Sequence, residues 1–223
     1  MALNLLMLGP PGAGKGTQAE RFARLRGIPK ISTGDILRDA VHAKTGIGQR
    51  AKAVMDRGEL VGDDVMIGIV RERLERDDAM GGFVLDGFPR TVAQASALDG
   101  IMTNRDPLIV VDIVVPEAEL VRRLGTRMIC EDCGGGAPVG SAVGAACGKC
   151  GGRLVQRADD NQAVVLERLK VYLRQSEPLV EYYHVRPTFR SIDGAQPPDR
   201  VAADLAAAIE AAGYGAVRQG VQG

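Results

Sequence analysis

The chain has 223 residues, 28 of them basic and 28 acidic, so its formal net charge is zero. That balance argues against a broad electrostatic footprint for nucleic acid or an anionic membrane, and no apolar stretch approaches the length of a membrane span. Four cysteines in two close pairs within 21 residues read as a metal site in a reducing compartment rather than a disulfide framework; with no export signal, the expected location is the cytoplasm.

The first predicted element is an apolar strand, Leu3–Leu8. It feeds a glycine-rich loop ending in Gly14-Lys15-Gly16-Thr17, and a helical pattern follows to about Arg26. A strand, a loop of this kind and a helix form a phosphate-binding arrangement: the glycines let several backbone N–H groups face one anion, and Lys15 adds a full charge. The general pattern matches from Gly9 through Lys15, but Gly16 stands where a hydroxyl is usual and Thr17 comes one residue later, so magnesium ligation from the usual place is not available.

Helices are predicted near Thr33–Ala43, Ile47–Asp56 and Asp63–Arg76, with Asp35 and Asp64 in favourable first-turn positions. Within the first, Thr33 and Arg38 lie about a turn apart, where the arginine can fork onto a phosphate; plain helix capping by Ser32 or Thr33 is the alternative. A second apolar strand, Phe83–Asp86, runs into Gly87-Phe88-Pro89-Arg90, and a helix is expected over Thr91–Leu98. Ligands of open α/β sheets gather at such carboxyl ends of strands. Asp86 is placed to hold a metal-bound water and Arg90 to clamp a phosphate, while Phe88-Pro89 makes a rigid turn that allows a cis bond. The amide of Gln94 both donates and accepts, which suits the edge of adenine.

The strand Leu108–Val115 is almost continuously apolar, as expected of a strand covered on both faces, and a weaker strand is expected over Thr188–Ile192. A helix over Glu117–Arg127 would put Arg123 and Arg127 on one face. A long helix is expected over Asp160–Tyr183; if it reaches back to Arg157, Arg157 and Arg168 lie three turns apart and face one way. The final helix is expected over Asp199–Ala212, with a loosely held tail beyond. Apolar strands alternating with helices indicate an α/β fold with a parallel sheet, interrupted by a helical segment at 32–61 and a cysteine segment at 128–158.

Cys130-x-x-Cys133-Gly134 and Cys147-x-x-Cys150-Gly151 form two similar knuckles thirteen residues apart. Four thiolates at this spacing close a tetrahedral shell around zinc, a structural rather than catalytic site. It would order a segment whose stretch Gly134–Ala146 has no charged and no aromatic residue. His42 and His184 are read as ordinary surface or core histidines.

Together, Gly9–Thr17, Ser32–Arg38, Asp86–Gln94, Arg123/Arg127 and Arg157…Arg168 resemble the adenylate kinase family in order and spacing, over about residues 3–198 and less closely over 134–146. The run Asp86–Thr91 is the most specific piece, and the cysteine segment resembles the zinc-bearing lid of a subset of these kinases. The resemblance implies a P-loop core (1–31, 62–125, 161–223), an AMP-binding insert (32–61) and a zinc-bearing lid (126–160). It implies that Gly12, Ala13, Gly14, Lys15, Gly16, Thr17, Arg127 and the Gln196 backbone contact ATP. Thr33, Arg38, the backbone of Glu59, Leu60 and Val61, then Gly87, Phe88, Pro89, Arg90 and Gln94 would hold AMP. Arg157 and Arg168 would contact AMP and the transferring group, Arg123 would face the phosphates, and Asp86 would anchor the metal side. The implied reaction is reversible, magnesium-dependent transfer from ATP to AMP giving two ADP, in a monomer needing neither nucleic acid nor membrane.

Two departures stand out. The lid lacks the Tyr and Phe usual before the second knuckle, which loosens the expected grip on the donor base, and Gln196 replaces a common lysine. The near alternative is another nucleoside monophosphate kinase, acting on UMP, CMP or GMP, or using GTP as donor. The distant one is a zinc-ribbon nucleic-acid or protein-binding module with a vestigial loop.

Overall fold

A computed structural model describes residues 2–138, 140–157 and 160–213. The tail expected to be loosely held lies almost wholly outside these residues, as do Val139, Ala158 and Asp159.

Five strands form a parallel sheet: β1 (Leu3–Leu8), β2 (Lys30–Ser32), β3 (Gly82–Asp86), β4 (Leu108–Val114) and β7 (Phe189–Asp193), in the order β2-β3-β1-β4-β7. In a parallel sheet both faces are covered, so alternate side chains of one strand enter different cores. Leu5 and Met7 of β1 join Val84, Ile109 and Val111 beneath Phe22, Leu124, Leu169 and Ile209. Leu6 and Leu8 point the other way, to Phe83, Leu85, Val70, Leu98 and Tyr183. Fully burying one such leucine contributes about 1.5–3 kcal/mol, so the two cores together hold the sheet.

Helices α1 (Lys15–Arg26) and α9 (Pro198–Ala211) lie on the first face; α4 (Asp63–Leu74), α5 (Val92–Met102) and α8 (Pro178–His184) lie on the second. From β1 the chain passes beyond β3 to place β2 at the edge, then builds β3 on one side of β1 and β4 on the other. The order therefore reverses around β1, and its carboxyl end opens into the crevice where such sheets bind ligands.

Two segments stand apart from this alternation. Helices α2 (Thr33–His42) and α3 (Gly46–Asp56) pack on each other between β2 and α4. Strands β5 (Met128–Cys130) and β6 (Leu154–Gln156) form a separate antiparallel pair between α6 (Glu117–Gly125) and α7 (Gln162–Val171).

Several sequence expectations need correction. β2 is not among the predicted strands, because three residues are too few to show a period. The expected helix through Arg127 stops at Gly125, so Arg123 and Arg127 do not share a helix face. The expected helix over Asp160–Tyr183 is three pieces: α7, a π-turn at Tyr172–Ser176, and α8, whose first residue Pro178 has no N–H to continue the ladder. Arg157 precedes α7 altogether, so the three-turn geometry proposed for Arg157 and Arg168 does not exist.

Candidate active site

The phosphate loop sits at the carboxyl end of β1. Gly9 has φ +132°, and a Cβ there would stand 2.6 Å from the carbonyl oxygen of Ile113, so β4 presses directly on the loop. Ala13 is buried beneath it. Gly14, in left-handed conformation, starts α1 without a side-chain cap, which leaves the first N–H groups of the helix for an anion. Gly12 opens the turn, and Thr17 lies exposed in the first turn of α1. Lys15 Nζ donates to the carbonyls of Gly9 (2.6 Å) and Pro10 (2.9 Å), so the ammonium is folded over the loop.

Burial pulls the Lys15 ammonium down to about 8; Asp86 opposes this, while Arg90, Arg168 and Arg127 reinforce it. These groups come from β3 and the turn after it, the segment after α6, and α7, and act on one point. Asp86 ends β3, and its Oδ2 would stand 3.3 Å from a Cβ on Gly16. The glycine in place of a hydroxyl residue thus leaves room for a carboxylate brought in from the neighbouring strand.

On the other side of Asp86, three expected groups meet. Thr33 Oγ1 donates to Gly87 O at 2.7 Å, and Arg90 Nε donates to the same oxygen at 2.8 Å. Ser32, not Thr33, caps α2 by accepting from the Asp35 N–H, which frees the Thr33 hydroxyl for this contact. Phe88 is buried and the Phe88-Pro89 bond is cis. Arg38 is turned back along α2 onto Asp35. Desolvation pushes Asp35 up, but Arg38 and Lys30 outweigh it and hold the carboxyl at about 2. Glu59 pairs with Arg57 at the surface and Val61 packs on the second core, so at these two positions the backbone is the part that can face a ligand. The adjoining Gly58 touches α7, since a Cβ there would meet Arg168 Cγ at 3.0 Å. Gln94 is 1% exposed; its Oε1 accepts from the Arg90 N–H (2.8 Å) and its Nε2 donates to Asp63 Oδ1 (2.7 Å).

The arginines are organised by a residue that sequence reasoning missed. Asp160, whose side chain is wholly buried, accepts from Arg127 Nε (2.7 Å) and Nη2 (2.6 Å) and from Arg168 Nη1 (2.9 Å). Asn161 caps α7 by accepting from the Val164 N–H, which leaves Asp160 free for this role. Nothing in the local sequence marks Asp160 for this role; only the fold reveals that one acid gathers two cations. Arg157 lies half-buried just before, its carbonyl accepting from the Asp160 N–H. Breaking a buried carboxylate–arginine cluster leaves charges uncompensated. Asp160→Asn is therefore expected to lower catalytic efficiency about tenfold with little change in the fold of the sheet; steady-state kinetics beside circular dichroism checks this.

Arg123 has a different setting from Arg127. It pairs with Glu119 (2.7 Å) and donates to Gly194 O (2.9 Å), pinning the loop that follows β7. In that loop the Gln196 side chain turns onto Asp204 (2.9 Å) and Asp193 O (3.1 Å), leaving its backbone as the available group.

The four cysteines converge beside β5 and β6, all Sγ atoms within 4.8 Å of one another. Cys130 and Cys150 are 3.5 Å apart, Cys133 and Cys147 3.8 Å. A tetrahedron with zinc–sulfur bonds of about 2.3 Å has edges of about 3.8 Å, so the set fits zinc and is far too open for disulfides. The Lys149 N–H donates to Cys147 Sγ, and such backbone bonds pull that thiol down to about 7.

The model of the adenylate kinase family matches residues 7–188. An adenylate kinase of Geobacillus sp. (strain WCH70) is 50% identical over 211 residues, covering 91% of this chain and 96% of its own. One from Archaeoglobus fulgidus is 47% identical, covering 93% and 98%. One from Geobacter sp. (strain M21) is 49% identical, covering 94% and 100%.

Proposed function

Because the chain belongs to the adenylate kinase family and is thus a nucleoside monophosphate kinase, we propose that it transfers the terminal phosphoryl group of magnesium-bound ATP to AMP, reversibly, giving two ADP. The observation that carries this reading is the meeting of Lys15, Arg90, Arg127 and Arg168 at one crevice, with Asp86 acting on Lys15 and Asp160 holding Arg127 and Arg168. Such a cluster of cations suits a polyanion with two phosphate chains.

The roles follow from position. The N–H groups from Gly12 to Thr17 and the Lys15 ammonium hold the donor's phosphates, with Asp86 facing the metal that accompanies ATP. Thr33, Arg38, the backbone of Glu59, Leu60 and Val61, the turn Gly87-Phe88-Pro89-Arg90 and Gln94 hold AMP. Arg127, Arg157 and Arg168 neutralise charge on the group in transfer. Arg123 acts through Gly194, holding the loop on which the Gln196 backbone meets the donor base. No protein base is required, because a monophosphate is already ionised near neutral pH and its oxygen attacks in line. Residues 32–61 form the AMP-binding insert. Residues 126–160 form a lid that excludes water, for which the family's own lid is the standing precedent. Cys130, Cys133, Cys147 and Cys150 hold a structural zinc that stiffens the lid. Among the described residues no helix is long and apolar enough to cross a membrane; a cytoplasmic monomer is part of the proposal, supported by the reduced thiols the zinc site needs.

A coupled assay of ADP formation with AMP, UMP, CMP and GMP, each with ATP or GTP, tests the reading. AMP with ATP is expected to be preferred by about a hundredfold in kcat/KM. A higher value with a pyrimidine monophosphate would overturn it.

A further inference from the structure

Asp63 is the first residue of α4, separated from the backbone segment 59–61 by Gly62 alone, and its carboxylate crosses to the start of α5. Its Oδ1 accepts from Gln94 Nε2 (2.7 Å), and its Oδ2 accepts from Thr91 Oγ1 (3.0 Å). Thr91 Oγ1 in turn accepts from the Gln94 N–H (3.2 Å), capping α5. The far end of the amide is held too, Oε1 accepting from the Arg90 N–H (2.8 Å).

This arrangement decides a question that an isolated glutamine leaves open. A carboxamide has two orientations related by a flip, and its partners determine which is adopted. Each end retains one capability here: a second N–H on Nε2 and a second lone pair on Oε1. In that orientation the free pair matches a 6-aminopurine, which offers an amine donor at position 6 beside an acceptor at N1. A 6-oxopurine offers the reverse, an acceptor at position 6 beside an N1–H. To read it, Gln94 must flip. The flip would set Nε2 against the Arg90 N–H and Oε1 against the Asp63 carboxylate, one contact between donors and one between an oxygen and an anion.

We propose that Asp63 locks the Gln94 amide in one orientation and thereby makes the acceptor pocket select a 6-aminopurine over a 6-oxopurine monophosphate. Asp63 is a positioning residue that does not touch the substrate. The inference rests on the reading of Gln94 as the residue that contacts the acceptor base.

The test compares kcat/KM for AMP and for inosine monophosphate in the wild type, Asp63→Ala, Asp63→Asn and Gln94→Leu. Charged hydrogen bonds of this kind are worth roughly a tenfold effect or more. Asp63→Ala is expected to reduce the AMP-to-IMP ratio about tenfold, mainly through KM for AMP, with KM for ATP unchanged. Asp63→Asn, which keeps an oxygen able to accept from Nε2, is expected to retain most of the ratio. Gln94→Leu should abolish the discrimination, and adding Asp63→Ala to it should cost nothing more. Should Asp63→Ala fail to fold, Asp63→Ser serves, since it begins α4 equally well but falls short of Gln94. If Gln94→Leu loses discrimination while Asp63→Ala or Asp63→Ser keeps it, the lock is refuted and the base reading stands. If Gln94→Leu keeps discrimination, the base reading itself falls.

Discussion

Replacing Lys15 with alanine is expected to lower kcat/KM for phosphoryl transfer by about three orders of magnitude, the upper end of what one well-placed electrostatic group contributes. The reason is local. Its ammonium is folded onto the carbonyls of Gly9 and Pro10, over the uncapped start of α1, where the proposed reading puts the donor's outer phosphates. Burial holds it at about 8, with the facing arginines adding to the effect and Asp86 opposing it. Phosphate oxygens reverse that balance and draw a proton back. Binding of ATP at pH values above about 8 is therefore expected to take up a proton, measurable by calorimetry in buffers of different ionisation enthalpy, and Lys15→Ala should abolish the uptake. For stability the sign is opposite to that of a salt-bridged lysine. The folded value lies below the unfolded one of 10.5. Between about 8 and 10.5 the unfolded chain holds more protons, and the cost of burying the charge is relieved as pH rises through that window. Near-normal kcat/KM in Lys15→Ala, or binding without proton uptake, would remove Lys15 from the mechanism.

The parts of this site that could be read from the sequence are those built within a short stretch of chain. The loop from Gly9 to Thr17 and the turn from Asp86 to Gln94 each carry their chemistry in consecutive residues, and the structure puts both at carboxyl ends of adjacent strands, β1 and β3. What escaped depends on partners far along the chain. Asp160 reaches back 33 residues to Arg127, and Asp63 reaches forward 31 to Gln94. Neither spacing leaves a periodic trace. Gly16 is intermediate: its oddity was visible, but its reason, the nearby Asp86 carboxylate, is a tertiary contact. The misread elements have similar causes. Strands β2, β5 and β6 have three residues each, too short for alternation to register. The helical pattern across 160–183 is real but does not reveal the π-turn that interrupts it ahead of Pro178.

Removing the metal from the cysteine site is expected to unfold the lid locally while the parallel sheet persists. Among the described residues of 128–156 only Cys130 and Leu154 are buried apolar side chains, so this segment has little core to hold it. What it does have is two knuckles: Gly134 N–H donates to Cys130 O and Gly151 N–H to Cys147 O, turns that bring each cysteine pair together. Structural zinc contributes about 10–16 kcal/mol in small cysteine-bound domains, far more than two buried residues supply. The lid is joined to the core at α6 and α7, so part of that loss reaches the whole molecule. A coupled loss of 3 kcal/mol would lower Tm by about 6–12 °C for a chain of this size. Protein purified without chelator should carry one zinc per chain by elemental analysis. A strong chelator, or Cys133→Ser with Cys147→Ser, should lower Tm and expose residues 131–152 to limited proteolysis, while AMP binding measured by calorimetry stays close to normal because Thr33, Arg90 and Gln94 lie outside the lid. The transfer rate of protein that remains folded should change less than its stability. Metal-free protein with an unchanged Tm would show that the thiols are held by the fold alone, and a loss of AMP binding in step with the metal would mean that the acceptor site depends on an ordered lid.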